Sequence, residues 1–499
     1  MRDRLEAIMS MCLRRGVHAL VVCIPVIVSC SDDDCAATAT CSGATSVRAP
    51  DADASKYPEV PPPPGCDPAA DTKDATACVD DVYALFVNPR DGNNAGAGSK
   101  TAPLRTLDAA TNIDKLAGRP RVYVCNVGAV AESVRLPPNV SLVGGFDCDT
   151  WRYAGVPTRI APGSANIALR MDGSRKGATI ADVAIVTKDA EGKGASSVAV
   201  LVASSKAIFR RVTVEAGKGT SGITQPTSSN QSRMPPNGNR TTTATPADAK
   251  TCACMEHGAS TGGKGGAPNG SGESGSVDPH VAGLGGVPGG GGSLCSKGGR
   301  GGDGPNGGAG GKRSGVLGIL TADGWTPGRG GDGGIGDPGA GGGGGGGDPS
   351  YAGGGGGCGG CGGSGGAGGT GGGASIALAL FMSDVKLIGS TCSSSQAGDG
   401  TPGGPGANGA PGGSGGLGSC SGGDGGDGAG GGGGAGGAGG VSAAVLRVGG
   451  SIQVDDATTL VPGQSGASGG GGFAGNGARS GGVGEDGLAV TVTPVVLEL

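Results

Sequence analysis

Aromatic side chains are almost missing from this chain. They make up 2% of its 499 residues, and hydrophobic residues of every kind make up 35%. So little bulky apolar matter excludes an ordinary large core. Histidine is scarce too: the three present have no Ser/His/Asp arrangement around them, so no nucleophile with a partner base is in view. Long runs of Lys and Arg are absent and the net charge is −5, which argues against a nucleic-acid partner. After residue 30 no stretch stays apolar for the roughly 20 residues that a membrane span takes. What the chain has in quantity is glycine, 117 residues of it, and cysteine, with 16. The cysteine content suits an oxidising compartment.

The first thirty residues carry an address. Residues 1–15 are polar and end in Arg14 and Arg15; residues 17–29 are mostly apolar, interrupted by His18 and Pro25. A basic start before a short apolar stretch is the layout of a secretory signal, and Met9 or Met11 would serve as its start equally well. The stretch ends in Ile27-Val28-Ser29-Cys30, which resembles the lipobox of bacterial lipoproteins. That resemblance implies that Cys30 is acylated, becomes the first residue of the mature chain and tethers it to a membrane. A cleaved signal without lipid is the alternative, and the side of the membrane, periplasm or cell surface, stays open.

Setting Cys12, Cys23 and Cys30 aside leaves thirteen of the sixteen cysteines, an odd number, so at least one thiol is free or paired elsewhere. Sequence proximity suggests the pairs Cys35 with Cys41, Cys66 with Cys78, Cys125 with Cys148, and Cys392 with Cys420. Connectivity itself cannot be read from a sequence.

Texture divides the chain into a signal (1–30), a Pro/Asp-rich spacer (31–80), β-type sequence (81–222), a Gly-rich insertion (223–372), a short β-type unit (373–397), a second insertion (398–440) and a final β-type segment with a short Gly-rich insertion (441–499). The run Pro61 to Pro64 makes the spacer semi-extended. Beyond it, the residues around Tyr83–Val87 predict a strand, and Asp91-Gly92-Asn93-Asn94 a turn. Thr106 should cap a short helix, and strands are expected at 121–124, 132–136 and 140–143. This order, with Ala102-Pro-Leu-Arg-Thr-Leu-Asp-Ala-Ala110, Arg121-Val-Tyr-Val124 and Val140-Ser-Leu-Val-Gly-Gly-Phe146, resembles the opening of right-handed parallel β-helix domains of the pectate-lyase-like kind. The resemblance covers roughly residues 83–150. It implies a mainly β solenoid whose end the helix caps, and implies fold more firmly than activity.

An internal repeat points the same way. Segments starting at Ser197, Ser375 and Ser442 align without gaps. They match apolar residues at Val198, Ile376 and Ala443, at Val200, Leu378 and Val445, at Ala207, Val385 and Ile452, and at Phe209, Leu387 and Val454. Asn166 opens a fourth copy through Ile167, Leu169 and Met171, with two extra residues before Ile180, Val183 and Ile185. Each unit reads as strand, bend, strand with period-two apolar positions. One unit cannot bury its own apolar face, whereas stacked copies can. Arg447 stands where the other copies have Val202 and Leu380, which predicts an irregular or terminal turn there.

The glycine between these copies is not randomly placed. It recurs every third residue over Gly353–Gly371, Gly400–Gly418 and Gly422–Gly440, each 19 residues long. Shorter runs cover Gly298–Gly310, Gly330–Gly345, Gly466–Gly475 and Gly481–Gly487. Three readings stay open. A collagen triple helix uses this period, and Pro402, Pro405 and Pro411 suit it, but the blocks are short. A flexible linker suits the composition, since glycine loses much entropy on ordering. A polyglycine-II-like bundle suits the period and the equal lengths, with 400–418 running out and 422–440 returning over roughly 56 Å at about 3.1 Å per residue. Units such as Gly422-Gly-Asp-Gly-Gly426 and Gly436-Gly-Ala-Gly-Gly440 also resemble the PGRS-like repeats of bacterial surface proteins, without the PE segment that precedes them in one family.

Chemistry is sparse. Cys358 and Cys361 have C-x-x-C spacing without a second pair at zinc-site distance; in a threefold helix they share a face, which favours a structural disulfide or partner contacts over a metal, and Cys252, Cys254 and His257 read as a solvated loop. Gly298–Asp303 and Gly422–Asp427 fit the first six positions of a calcium-binding nonapeptide, but Pro305 and Ala429 hold its aliphatic position and no tandem copies follow. Asp182, Glu215, Asp384, Asp455 and Asp456, with Arg210 and Arg211, could serve a carboxylate mechanism; alternation along strands places such residues in solvent by default. No catalytic residue, metal or cofactor is assigned. The expectation is a structural, adhesive or matrix-associated envelope protein, touching a membrane through its anchor and a surface polysaccharide or protein beyond it. A glycan-binding or glycan-cleaving β-helix protein is the alternative.

Overall fold

A computed structural model describes residues 56–163, 167–224, 237–254, 258–278, 285–311, 317–484 and 486–494. Cys30, Cys35, Cys41 and His257 lie outside the described residues. The described residues are mainly β, with a 3-10 turn at Thr76–Cys78, two short α-helices, α1 (Leu107–Thr111) and α2 (Ile113–Leu116), and long parallel sheets. Thr106 caps α1 by accepting from the Ala109 amide.

The parallel strands form three stacks, which the chain visits in rotation. Stack one contains Val134–Leu136, Ile167–Asp172, Ser197–Ala203, the first halves of Ser375–Ile388 and Ser442–Val454, and Ala489–Pro494. Stack two contains Ala84–Val87, Arg121–Cys125, Ser141–Phe146, Ala178–Ala181, Lys206–Arg210 and the second halves of those two long strands. Stack three contains Ala129–Val130, Thr158–Ile160, Val183–Val186, Thr213–Glu215, Thr391–Ser393 and Thr459–Val461. The repeat copies lie in the register their alignment predicts: Ser375 faces both Ser197 and Ser442, and Leu387 faces both Phe209 and Val454.

Apolar side chains from all three stacks converge on one core. Leu136, Met171, Val202 and Leu380 pile up from stack one, Leu142, Ile180, Phe209 and Leu387 from stack two, and Ile160, Ile185, Val214 and Cys392 from stack three. Each such side chain contributes about 1.5–3 kcal/mol on burial. Stack one departs from strict alternation. Ala199, Ala377 and Ala444 drop out of the ladder and point inward beside Val200, Leu378 and Val445. The extra residue turns Val198, Ile376 and Ala443 to the opposite face, so the two apolar positions expected on one side are on two. There they meet Leu320 and Trp325 of a hairpin, Gly318–Thr321 with Gly324–Pro327. Covered on both faces, these strands read as continuous apolar runs. Arg447 takes its predicted place in the inward row, donates to the Gly450 carbonyl, and is followed by one more strand, Ala489–Pro494.

Every long glycine insertion leaves after stack three and returns to stack one. The strand ladder continues into it. Gly373 donates to the Thr220 carbonyl, Gly398 to Gly373, Gly440 to Gly398, Gly466 to Gly440 and Gly487 to Gly466. Strands stacked about 4.8 Å apart therefore deliver each glycine segment to its neighbours already at hydrogen-bonding distance.

Within the insertions the bonding has a period of three. In 422–440, the amides of Gly422, Gly425 and Gly428 donate to Gly416, Gly413 and Ala410, while those of Gly423, Gly426 and Ala429 donate to Gly343, Ala340 and Asp337. Further bonds link this segment to 357–372, 301–310, 466–475 and 479–482, so six segments surround it, and these six bond to one another in turn around it. Three residues per turn put every third residue on one edge. Glycine is required because nothing else fits: a Cβ on Gly433 or Gly436 would lie 2.0 or 1.9 Å from the carbonyl oxygen of Gly472 or Gly469.

Five disulfides tie the described residues. Cys66 bonds to Cys78 and Cys125 to Cys148. Cys252 bonds to Cys358, Cys254 to Cys361, and Cys295 to Cys420. The expected pair of Cys392 with Cys420 is not formed. Cys392 points into the core of stack three as a buried free thiol, pushed up to about 12 by burial, while Cys420 sits at the far turn of the glycine bundle. Cys358 and Cys361, whose shared face favours disulfide or partner contacts, bond to Cys252 and Cys254, which the sequence placed in a solvated loop; a strand's two-residue step and a thread's three-residue step both keep one side. Residues 56–80, read as spacer, are docked: Val60 donates to the Gly118 carbonyl and Arg121 to the Pro68 carbonyl.

Gly436→Ala should lower stability by about 1–3 kcal/mol through overpacking. Gly470→Ala, whose Cβ would meet nothing within 4 Å, should change it by less than about 1 kcal/mol. Thermal unfolding of the two variants checks the contrast.

Candidate functional site

In four successive layers one left-handed residue sits at the corner between stacks two and three. Gly145, Asp182, Arg211 and Gly389 hold these corners with φ of 81°, 56°, 52° and 54°. Two of the four are not glycine, and a side chain in this conformation costs about 1–3 kcal/mol. Those two bond to each other. Arg211 Nε donates to Asp182 Oδ1 at 2.7 Å and Nη2 to Oδ2 at 2.8 Å. The same guanidinium reaches Asp71 at 2.7 and 2.8 Å. Tyr153 donates to Asp182 Oδ1 at 2.7 Å and Thr72 to Oδ2 at 3.2 Å.

Asp182 is 2% exposed. Its bonds to Arg211, with those from Asp71, raise the guanidinium's affinity for its proton despite partial burial. Burial alone would push the Asp71 carboxyl up; the bonds from Arg211 and the Lys73 amide outweigh it and hold the group below the usual carboxylate range. Both carboxylates are engaged by Arg211, so neither stands ready as a base. The arrangement is a latch that pins the loop closed by Cys66–Cys78 to the β body.

The second feature is a groove of about 690 Å³ across the outer face of stack two. Register lines up Ser141, Thr179, Ile208, Lys386 and Gln453 along its floor, with Lys206, Asp384 and Ser451 in the adjoining row. Glu59 of the docked N-terminal segment forms one wall and pairs with Lys176 at 2.7 Å. Asp384 accepts from Ser451 at 2.7 Å. Lys176, Lys206 and Lys386 make the groove basic on a chain of net negative charge.

The carboxylates singled out in the sequence are thus dispersed. Asp182 is in the latch with Arg211, and Arg210 touches Asp71 at 3.5 Å. Asp384 is in the groove and Glu215 is exposed on stack three. Asp455 closes a turn, held below the usual range by the Thr458 hydroxyl and the Gly389 amide, and Asp456 is exposed. Among the described residues, no three His, Cys, Asp or Glu side chains group as a metal site. Asp71, missed in the sequence, lay in apparent spacer; only its position inside a short Cys66–Cys78 loop marked it.

The Gly-Gly-Asp runs carry backbone bonds. Asp424 and Asp427 accept from the amides of Gly415 and Gly412, both at 2.8 Å. Arg300 pairs with Asp303 and Asp427, and Lys297 with Asp424.

No family model, curated protein or solved structure matches the chain.

A group whose folded pKa is depressed contributes stability above its unfolded value and loses it as pH falls through the folded one. Docking of residues 67–78 should therefore weaken below about pH 4, where unfolded carboxylates titrate. Limited proteolysis of this loop should accelerate in acid, and Asp71→Asn should show fast cleavage already at neutral pH.

Proposed function

We propose that this chain is an exported, lipid-anchored structural or adhesive protein of the bacterial envelope. A right-handed parallel β-helix braces a polyglycine-II-like bundle and holds it off the membrane. The observation that carries the reading is the shared ladder from Thr220 through Gly373, Gly398, Gly440, Gly466 and Gly487, which joins each thread to the β body. Rotation of the chain through three stacks supports the β-helix, and its hand follows the rule for parallel crossovers. Such a body offers rigidity and a long polar surface. The anchor is proposed from Ile27-Val28-Ser29-Cys30, and no helix among the described residues is long and apolar enough to cross a membrane. Expressed in bacteria with labelled fatty acid, the chain should take up label and sediment with membranes. Cys30→Ser should abolish both; unlabelled wild type would refute the anchor.

The groove favours a second reading, binding of an acidic glycan along stack two. Lys206 and Lys386 are positioned to meet its charges. Affinity for an acidic polysaccharide should fall about tenfold or more in Lys206→Ala/Lys386→Ala, measured by calorimetry with and without calcium. Equal affinity in both proteins would exclude the groove, and release of unsaturated products would make it an active site.

A further inference from the structure

The row of amides along the 400–418 segment changes partner halfway. Gly400, Gly403 and Gly406 donate to the carbonyls of Ala467, Gly470 and Phe473 in a neighbouring thread. Then that thread ends. Gly409 donates to Asn476 Oδ1 at 2.9 Å, Gly412 to Asp427 Oδ1 and Gly415 to Asp424 Oδ1, each at 2.8 Å. Side-chain oxygens take the places of the missing carbonyls.

The central segment records the same boundary. Its outward row is Gly430, Gly433, Gly436 and Gly439 where 466–476 lies against it, and a Cβ there would fall within 2.3 Å of that neighbour's backbone. Where no thread runs, the row becomes Asp424 and Asp427. The Asp427 amide is itself closed by Asp303 Oδ1 at 2.8 Å. On the far side of the 400–418 segment the outward row includes Pro402 and Pro411, both exposed, which have no amide hydrogen to offer.

An open thread edge has the hazard of an open strand edge: a line of unbonded amides that another chain can pair with. We propose that the Gly-Gly-Asp units and the outward prolines are edge closures. They end the lattice of threads within one chain and keep a second copy of this chain from adding its own threads. The carboxylates act as acceptors for backbone amides, balanced by Arg300 and Lys297. Along this row of the central segment, Gly stands where a neighbour is packed and Asp where the neighbouring thread has ended.

Sedimentation velocity on the purified full chain tests this. Wild type should stay at one copy over the concentration range. Asp424→Gly/Asp427→Gly should associate, with self-affinity about tenfold or more above wild type. Asp424→Asn/Asp427→Asn, which keeps an acceptor oxygen, should stay at one copy. Should the glycine variant lose slow amide exchange in 430–440, Pro402→Ala/Pro411→Ala decides, because it adds two amide donors at exposed positions: association supports the proposal and one copy overturns it. A folded glycine variant that remains at one copy also overturns it, as does wild type that associates through the 400–418 edge.

Discussion

The structure depends on one ladder of backbone hydrogen bonds that passes from the β stacks into glycine. Ordering a glycine costs more conformational entropy than ordering any other residue. A free glycine segment has no side chains with which to offset that cost. Here the offset comes from position. Parallel strands return the chain to the same corner on every layer, so Gly373, Gly398, Gly440, Gly466 and Gly487 start in register. Once the first bond is made, each later bond adds to a segment already aligned, much as propagation follows nucleation in a helix.

The rest of the protein serves this arrangement. The apolar core fixes the layer spacing through rows such as Leu136, Met171, Val202 and Leu380. Three of the five disulfides among the described residues tie the glycine bundle, which lacks an apolar core; Cys295–Cys420 closes its far turn, and Cys252–Cys358 with Cys254–Cys361 fastens its flank. The strained corner at Asp182 and Arg211 is held by their mutual ion pair, which also secures the N-terminal loop through Asp71.

Much of this was legible in the residues. The repeat from Ser197, Ser375 and Ser442 predicted the register, and Thr106 predicted its cap, because period and capping are local properties. The period of three in glycine left a linker, a collagen helix and a thread bundle open; within the bundle reading it paired 400–418 with 422–440, as the bonds show, but not the other neighbours. Disulfides across 106, 107 and 125 residues were invisible, since sequence proximity favours short loops. Cys392 was misassigned for that reason. The bulge at Ala199 was also hidden, because a strand apolar on both faces shows no alternation to break. Of the candidate site, Asp182 and Arg211 stood out in sequence, but Asp71 and the basic groove arise only when distant layers meet.

Amide exchange along residues 422–440 in the folded protein tests the central claim most directly. Surrounded on six sides, the amides of Gly431, Gly432, Gly434 and Gly437 should exchange as slowly as those of the strand Ser375–Ile388. Exchange across this segment at the rate of an unstructured chain would contradict the account.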